Sequence, residues 1–407
     1  MRASTPARDV DAVIRSDSGL LSADLEQLLR VAAGTVVDPG VPGFDPANPV
    51  LEDALRLALQ APNADAFAID HARFLEPRPG SAGTADAAGP ARSGPPADGV
   101  RPSTVYWAYR NYRGFDPSDE TGADFATVRR VAASARLLMK AAVIIDDVQD
   151  GSDIRFGRPA LHITHGVPLA LNTACWMMTT AFQHVEHSEA AHYMIGAARN
   201  GFTGQALDMS TRLPEIKRNL AKASGESRID FWKSVAALKT STLLQLPVNA
   251  AALALDVPDK ERALLDESMH VMGVAGQLLN DLVDFLPRYG GANSFSDFKG
   301  LKNRVLLELL ATHPSEISPA EMTPEELRTF ALNHPRLPSV MLRLADDAVR
   351  LKQTAKDQVF TLCRTPESAT YFDTAIERVG HHINMVAERL HSAPSFDALL
   401  RPPAKAE

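Results

Sequence analysis

Apolar residues recur at three- and four-residue spacing along most of the chain, over 124–149, 167–187, 189–212, 228–253, 259–286, 302–312, 324–333, 338–363 and 366–392. That period puts one apolar face on each of a series of long helices. Strand-type alternation is nearly absent, as are Asn-Gly hairpin signals, and no repeat of fixed period occurs. The pattern predicts an all-α fold: a large helical bundle over 103–395, followed by a tail at 396–407. Upstream, LSADLEQLLRVAA and LEDALRLALQ predict a short helical segment within residues 1–75, with Ser22 and Glu26 near a helix start. Between the two parts, residues 76–102 carry Pro and Gly throughout and only Val100 as a bulky aliphatic. Such a stretch cannot offset its ordering entropy by burial and reads as a flexible linker.

Composition narrows the function. The 407 residues give 44.0 kDa with 45% apolar types, enough for a large core. A net charge of -8 and a pI near 5.9 argue against nucleic acid as a partner. Any anionic substrate must therefore be held by local cations or metal ions. Two cysteines, Cys175 and Cys363, fit a reduced cytoplasmic setting and no disulfide framework. No window of ~18 uncharged apolar residues is present, so no membrane span is expected, and the first residues lack the apolar core of a signal peptide.

Candidate chemistry concentrates in LLMKAAVIIDDVQDGSDIRFGRPALH. Asp146, Asp147 and Asp150 close an apolar helix pattern, and residues three and four apart share a helix face. Carboxylates so crowded repel unless a cation joins them, and hard oxygen donors suit Mg2+, which bridges carboxylates to phosphates. Arg155 follows with a fork matched to phosphate oxygens. About 130 residues on, Asn280, Asp281 and Asp284 repeat the spacing on another apolar helix. Gln205 and Asp208, Lys239 and Thr240, and Lys302 are further candidates for a phosphate site; the flanks of Lys239 look buried. His184, His187 and His192 lie in a polar stretch without thiols and do not make a zinc site.

In this order the residues DDxxD, R-x-G-x-P-xx-H, GQxxD, KT, QxxNDxxD and a lysine loop, the sequence resembles the trans-isoprenyl diphosphate synthases over about 100–310. The resemblance implies an isoprenoid-synthase bundle with a deep cavity, in which three Mg2+ ions grip an allylic diphosphate. It places two ions on Asp146, Asp147 and Asp150, and a third on Asn280, Asp281 and Asp284. It sets Arg155, Gln205, Lys239, Thr240 and Lys302 around the diphosphate, and implies a homodimer. Residues four and five before the first Asp, Ala142 and Ala141, would form the cavity floor and leave room for a C15 or C20 donor.

The departures fall on the second substrate. The family holds isopentenyl diphosphate with a GKxxRP loop, a histidine and a second arginine. Here those positions carry Asp98, Gly99, Met139 and Phe156, and Arg101 alone remains. Such changes remove most of the charge needed for a second diphosphate. The acceptor is then expected to be a small molecule other than isopentenyl diphosphate, such as an indole, and the pattern is similar to that of indole prenyltransferases. Tyr106, Trp107, Tyr109 and Tyr112 would either stack on it or fill the core. A terpene cyclase, matching NDxxSxxxE only at Asn280 and Asp281, an ordinary polyprenyl diphosphate synthase and a non-catalytic regulatory subunit are the alternatives.

Overall fold

A computed structural model describes residues 9–34, 49–68, 103–116, 120–155, 158–286, 296–311, 319–393 and 395–400. The expected linker at 76–102, including Arg101, lies outside the described residues, as do Phe156 and the chain from 401 on.

The fold is all-α, as the apolar period requires. Helix α1 spans Val10–Gly34. Helices α2 (Pro49–Leu55) and α3 (Ala61–Ala68) are joined by a π-helical turn. Then come α4 (Ser103–Arg113), α5 (Ala123–Asp150), α6 (Leu161–His165), α7 (Val167–His184), α8 (Ser188–Ser210), α9 (Pro214–Lys222) and α10 (Gly225–Ala236). A second π-turn, Ala237–Ser241, leads into α11 (Thr242–Ala254). Helices α12 (Asp259–Asp284), α13 (Arg304–Leu310), α14 (Pro324–Asn333), α15 (Leu337–Phe360), α16 (Pro366–Ser392) and α17 (Phe396–Leu400) complete the bundle. Among the described residues the only strands are Ile154–Arg155 and Arg158–Pro159, paired antiparallel. The principal packings set α5 on α7, α8 on α11, α11 on α12, and α12 on α15. No helix among the described residues is long and apolar enough to cross a membrane.

Two expectations change. The first concerns the N-terminal segment, which is part of the bundle. Val10, Ile14, Leu21 and Leu25 form the buried stripe of α1, and α1 packs on α4, α5 and α16. Asp17 occupies the remaining place in that stripe, 1% exposed. It accepts from Arg110 Nη2 at 2.6 Å and from Tyr371 Oη at 3.0 Å. This buried charge hides the stripe's period, so Ser22 looks like a start. In fact it lies inside α1, its hydroxyl donating to the Ser18 carbonyl.

The second change is on α4. Tyr106, Trp107 and Tyr109 are at most 2% exposed, Tyr109 lies 4.8 Å from the Phe125 ring, and Trp107 Nε1 donates to the Ser368 carbonyl at 3.0 Å. They are core, each contributing roughly 2–3 kcal/mol of burial, and do not present a face to an acceptor. Tyr112 is half-buried with the Arg364 guanidinium 4.7 Å over its ring.

The histidine stretch straddles two helix ends, with His184 closing α7. His187 caps α8 by accepting from the Ala190 N–H, and His192 lies within that helix.

Candidate active site

Helix α5 stops at its acidic cluster. Gly151 adopts φ +64°, and its N–H reaches the Asp147 and Val148 carbonyls, so the helix ends directly after Asp150. Three carboxylates thus occupy the last turn, the negative end of the helix dipole. That placement is unfavourable without cations, and each carboxylate has one. The two-residue hairpin folds Arg155 back: its Nε donates to Asp147 Oδ1 at 2.7 Å, and Nη2 lies 3.4 Å from Asp146 Oδ2. Lys239 Nζ lies 3.1 Å from Asp146 Oδ1 and 3.2 Å from Asp208 Oδ2. Lys302 Nζ donates to the same Asp208 oxygen at 2.9 Å. Arg212 binds the Asp150 carboxylate through Nη2 and the Gln149 carbonyl through Nη1 at 2.9 Å. Lys299 Nζ donates to the Asp150 carbonyl at 3.2 Å.

The charges set one another's protonation. Burial alone would raise the Asp146 carboxyl, but Lys239, Arg155 and Lys302 outweigh it and hold it below the usual carboxylate range. Asp208 is likewise pulled down, against burial, by Lys239 and Lys302. Burial would lower the Lys239 ammonium, yet Asp146 and Asp208 push it above the ordinary lysine value. Asp147 differs, because burial raises its carboxyl and Arg155 only partly offsets the rise; Asp146, Asp208 and Lys239 are the groups held charged.

Two glycines place Lys239. It belongs to the π-turn Ala237–Ser241, which is gripped between α8 and α12. A Cβ on Gly204 would come within 2.7 Å of the Lys239 nitrogen, and one on Gly273 within 2.3 Å of Ser241 Cα. Only glycine permits these backbones to approach so closely. Gly273→Ala is expected to cost about 1–3 kcal/mol by overpacking, read as a lower midpoint in denaturant unfolding; an unchanged midpoint would show that the contact is soft. Gly300 performs the same service at the lysine loop, where a Cβ would meet Thr211 Oγ1 at 2.3 Å. That contact presses 299–302 onto the end of α8 and brings Lys299 and Lys302 to the cluster.

The turn also bridges the two acidic regions. Next to Lys239, Thr240 Oγ1 donates to Gln277 Oε1 at 2.5 Å, and Gln277 Nε2 donates to Asp281 Oδ1 at 2.8 Å. Asp281 differs from the expectation. It is 1% exposed and also accepts from Trp232 Nε1 at 2.7 Å and from the Arg304 N–H at 2.6 Å. Three donors on one buried carboxylate make it an anchor tying α10, α12 and the start of α13 together, and not an available metal ligand. Asp284 is buried at 7%, while Asn280 on the neighbouring face is exposed. Gln205 is buried on α8, its Nε2 without a hydrogen-bond partner. Ala141 is fully buried, and Ala142 lies half-buried one turn before Asp146. Met139 is 5% exposed on the same helix.

Arg212, Lys299 and Trp232 were not singled out from sequence. Arg212 had no local signal, since it lies past the end of α8 and its partner Asp150 is 62 residues away. Trp232 had none either, because its partner is 49 residues away.

The donor set fits magnesium. Asp146, Asp147 and Asp150 offer hard oxygens within one turn, and Asp146 Oδ1 is buried and faces the Lys239 ammonium at 3.1 Å. The cations paired with the carboxylates are the groups a phosphate would take over. Among the described residues no group of three or more His, Cys, Asp or Glu is placed to hold a metal ion as it stands, so the three carboxylates would have to turn from their cation partners to share one.

The chain has likenesses to known proteins. The polyprenyl synthetase family model matches residues 94–299. A short chain isoprenyl diphosphate synthase of Methanocaldococcus jannaschii is 26% identical over 170 residues, 40% of this chain and 49% of that protein. The prenyl transferase paxC of Penicillium paxilli is 25% identical over 193 residues, 47% and 56% of the two chains. The match thus spans about half the length of these curated relatives. A crystal structure of a decaprenyl diphosphate synthase from Rhodobacter capsulatus superposes with a TM-score of 0.63 at 15% identity, covering 94% of this chain and 98% of that one, a likeness of fold.

Proposed function

Because the chain belongs to the polyprenyl synthetase family, we propose that it is a magnesium-dependent prenyltransferase. It ionises an allylic C15 or C20 diphosphate and delivers the chain to an acceptor other than isopentenyl diphosphate, of the indole or small-aromatic class. One observation carries this reading: the alternation of Asp146, Lys239, Asp208 and Lys302 beside the Asp147–Arg155 pair. Carboxylates and phosphate-binding cations are interleaved within hydrogen-bond range, as an ion–diphosphate complex requires.

Asp146, Asp147 and Asp150 would hold two ions and Asp284 with Asn280 a third; bound magnesium supplies Lewis-acid neutralisation of the departing diphosphate. Arg155, Lys239 and Lys302 exchange their carboxylates for phosphate oxygens and stabilise the growing negative charge. Gln205 and Thr240 add neutral polar contacts. Half-buried Ala142, one turn before Asp146, would border the space for the prenyl tail, and a site closed to water would protect the allylic cation. The released diphosphate takes the proton lost from the acceptor. A buried thioether at Met139, where the family carries a histidine, supports an acceptor without a diphosphate. A homodimer is part of this proposal; exposed Ile163, Val167, Leu171, Ile195 and Phe202 supply apolar surface for a second copy.

The test is incubation with Mg2+ and geranylgeranyl diphosphate plus indole-3-glycerol phosphate, isopentenyl diphosphate or no acceptor. A prenylated indole is expected. A longer diphosphate would return the chain to ordinary chain elongation, and a hydrocarbon formed without acceptor would make it a cyclase.

A further inference from the structure

Asp150 is held differently from its neighbours. Asp146 and Asp147 are paired with Lys239 and Arg155, residues that the family pattern already sets against the diphosphate. Asp150 is paired with Arg212, which has no place in that pattern. Arg212 leaves α8 just past its C-terminus, and its guanidinium spans two acceptors of the last turn of α5, the Gln149 carbonyl and the Asp150 carboxylate. Its Nε is buried with no hydrogen-bond partner. A guanidinium with two edges committed and a third buried donor unused is under-satisfied, and it would gain from an acceptor richer in oxygen than a single carboxylate.

A divalent ion and Arg212 compete for the same Asp150 oxygen. With both present the local positive charge is excessive, so metal entry must displace the arginine or fail. Displacement is favourable only when an anion arrives to receive the guanidinium, and the inorganic diphosphate group is such an anion. We propose that Arg212 is a counter-ion gate on the first metal site: it occupies Asp150 in the metal-free protein, yields it when metal and diphosphate enter together, and then binds the diphosphate. The consequence is ordered loading, with weak affinity for metal alone and strong coupling between metal and diphosphate. This inference rests on the proposed prenyl-diphosphate site.

The probes are Mn2+ and inorganic pyrophosphate, followed by calorimetry and by the electron paramagnetic resonance of free Mn2+, so no turnover is needed. Arg212→Gln keeps a polar side chain of similar reach and removes the charge. It is expected to bind Mn2+ alone roughly tenfold more tightly than the wild-type protein, because its competitor is gone. It should bind pyrophosphate in the presence of Mn2+ roughly tenfold more weakly. Arg350→Gln removes an exposed cation of α15 that is paired with Asp347 outside the cluster, and should leave affinity for Mn2+ alone within about twofold. Weaker or unchanged Mn2+ binding by Arg212→Gln would overturn the gate, as would an equal gain in Arg350→Gln, which would reveal a general effect of net charge. A wild-type protein that binds neither probe would instead defeat the diphosphate-site reading itself. Unfolding midpoints of both variants close to wild type establish that folded proteins are being compared.

Discussion

Asp146→Ala is expected to lower prenyl transfer by about 10^3-fold or more while leaving the fold intact. Asp146 contributes a buried oxygen at the centre of the alternating charges, between Lys239 and Arg155. On the proposed reading its removal takes away an oxygen that would hold the metal, and it leaves Lys239 with Asp208 as its remaining partner. The loss should appear in kcat, since the charge it helps neutralise grows as the C–O bond breaks. Stability should move little. The substitution deletes one of three like charges at the negative end of α5, which is favourable, and weakens one ion pair, which is not. A midpoint within about 1 kcal/mol of wild type is expected. A large drop in stability with partial activity retained would recast the cluster as structural.

The second large effect concerns the fold. Arg110→Ala is expected to cost about 3–5 kcal/mol, because it strands Asp17 in the core. Both side chains of the Asp17–Arg110 pair are 1% exposed, and Arg110 also holds Glu120 at 2.9 Å. Burial already pulls the Asp17 carboxyl up against the opposing pull of Arg110 and Tyr371. Without the guanidinium the carboxyl must take up a proton or drag α1 off the bundle. Urea unfolding measures the loss. An Asp17→Leu, Arg110→Met double variant should regain most of it, since replacing both charges by apolar groups removes the desolvation cost. Near-wild-type stability of Arg110→Ala would mean that α1 is not docked as described.

These two residues also show where the sequence was readable. The bundle helices followed from the apolar period alone: 324–333 and 366–392 coincide with α14 and α16, and 124–149 with α5 to within a residue at each end. The first acidic cluster, Arg155, Lys239 and Lys302 were legible because their chemistry is written in short motifs. Helix α1 was misread because a charged residue stands in its apolar stripe, and only the distant Arg110 and Tyr371 explain it. The π-turn was invisible to a 3.6-residue period, since the run 228–253 contains it without a break. Its clue lay elsewhere, in Gly204 and Gly273, glycines inside apolar helices that mark a close backbone approach. Asp281 was assigned by motif alone. Its anchoring role depends on Trp232 and on the Arg304 backbone, neither of which has a local signature.

The most direct test is a crystal structure with Mn2+ and pyrophosphate, in which the ions are located by anomalous scattering. Metal should appear on Asp146, Asp147 and Asp150, with phosphate oxygens on Arg155, Lys239 and Lys302 and with Asp281 still bound to Trp232. Ions found elsewhere, or pyrophosphate that leaves the Lys239–Asp146 and Lys302–Asp208 pairs intact, would contradict it.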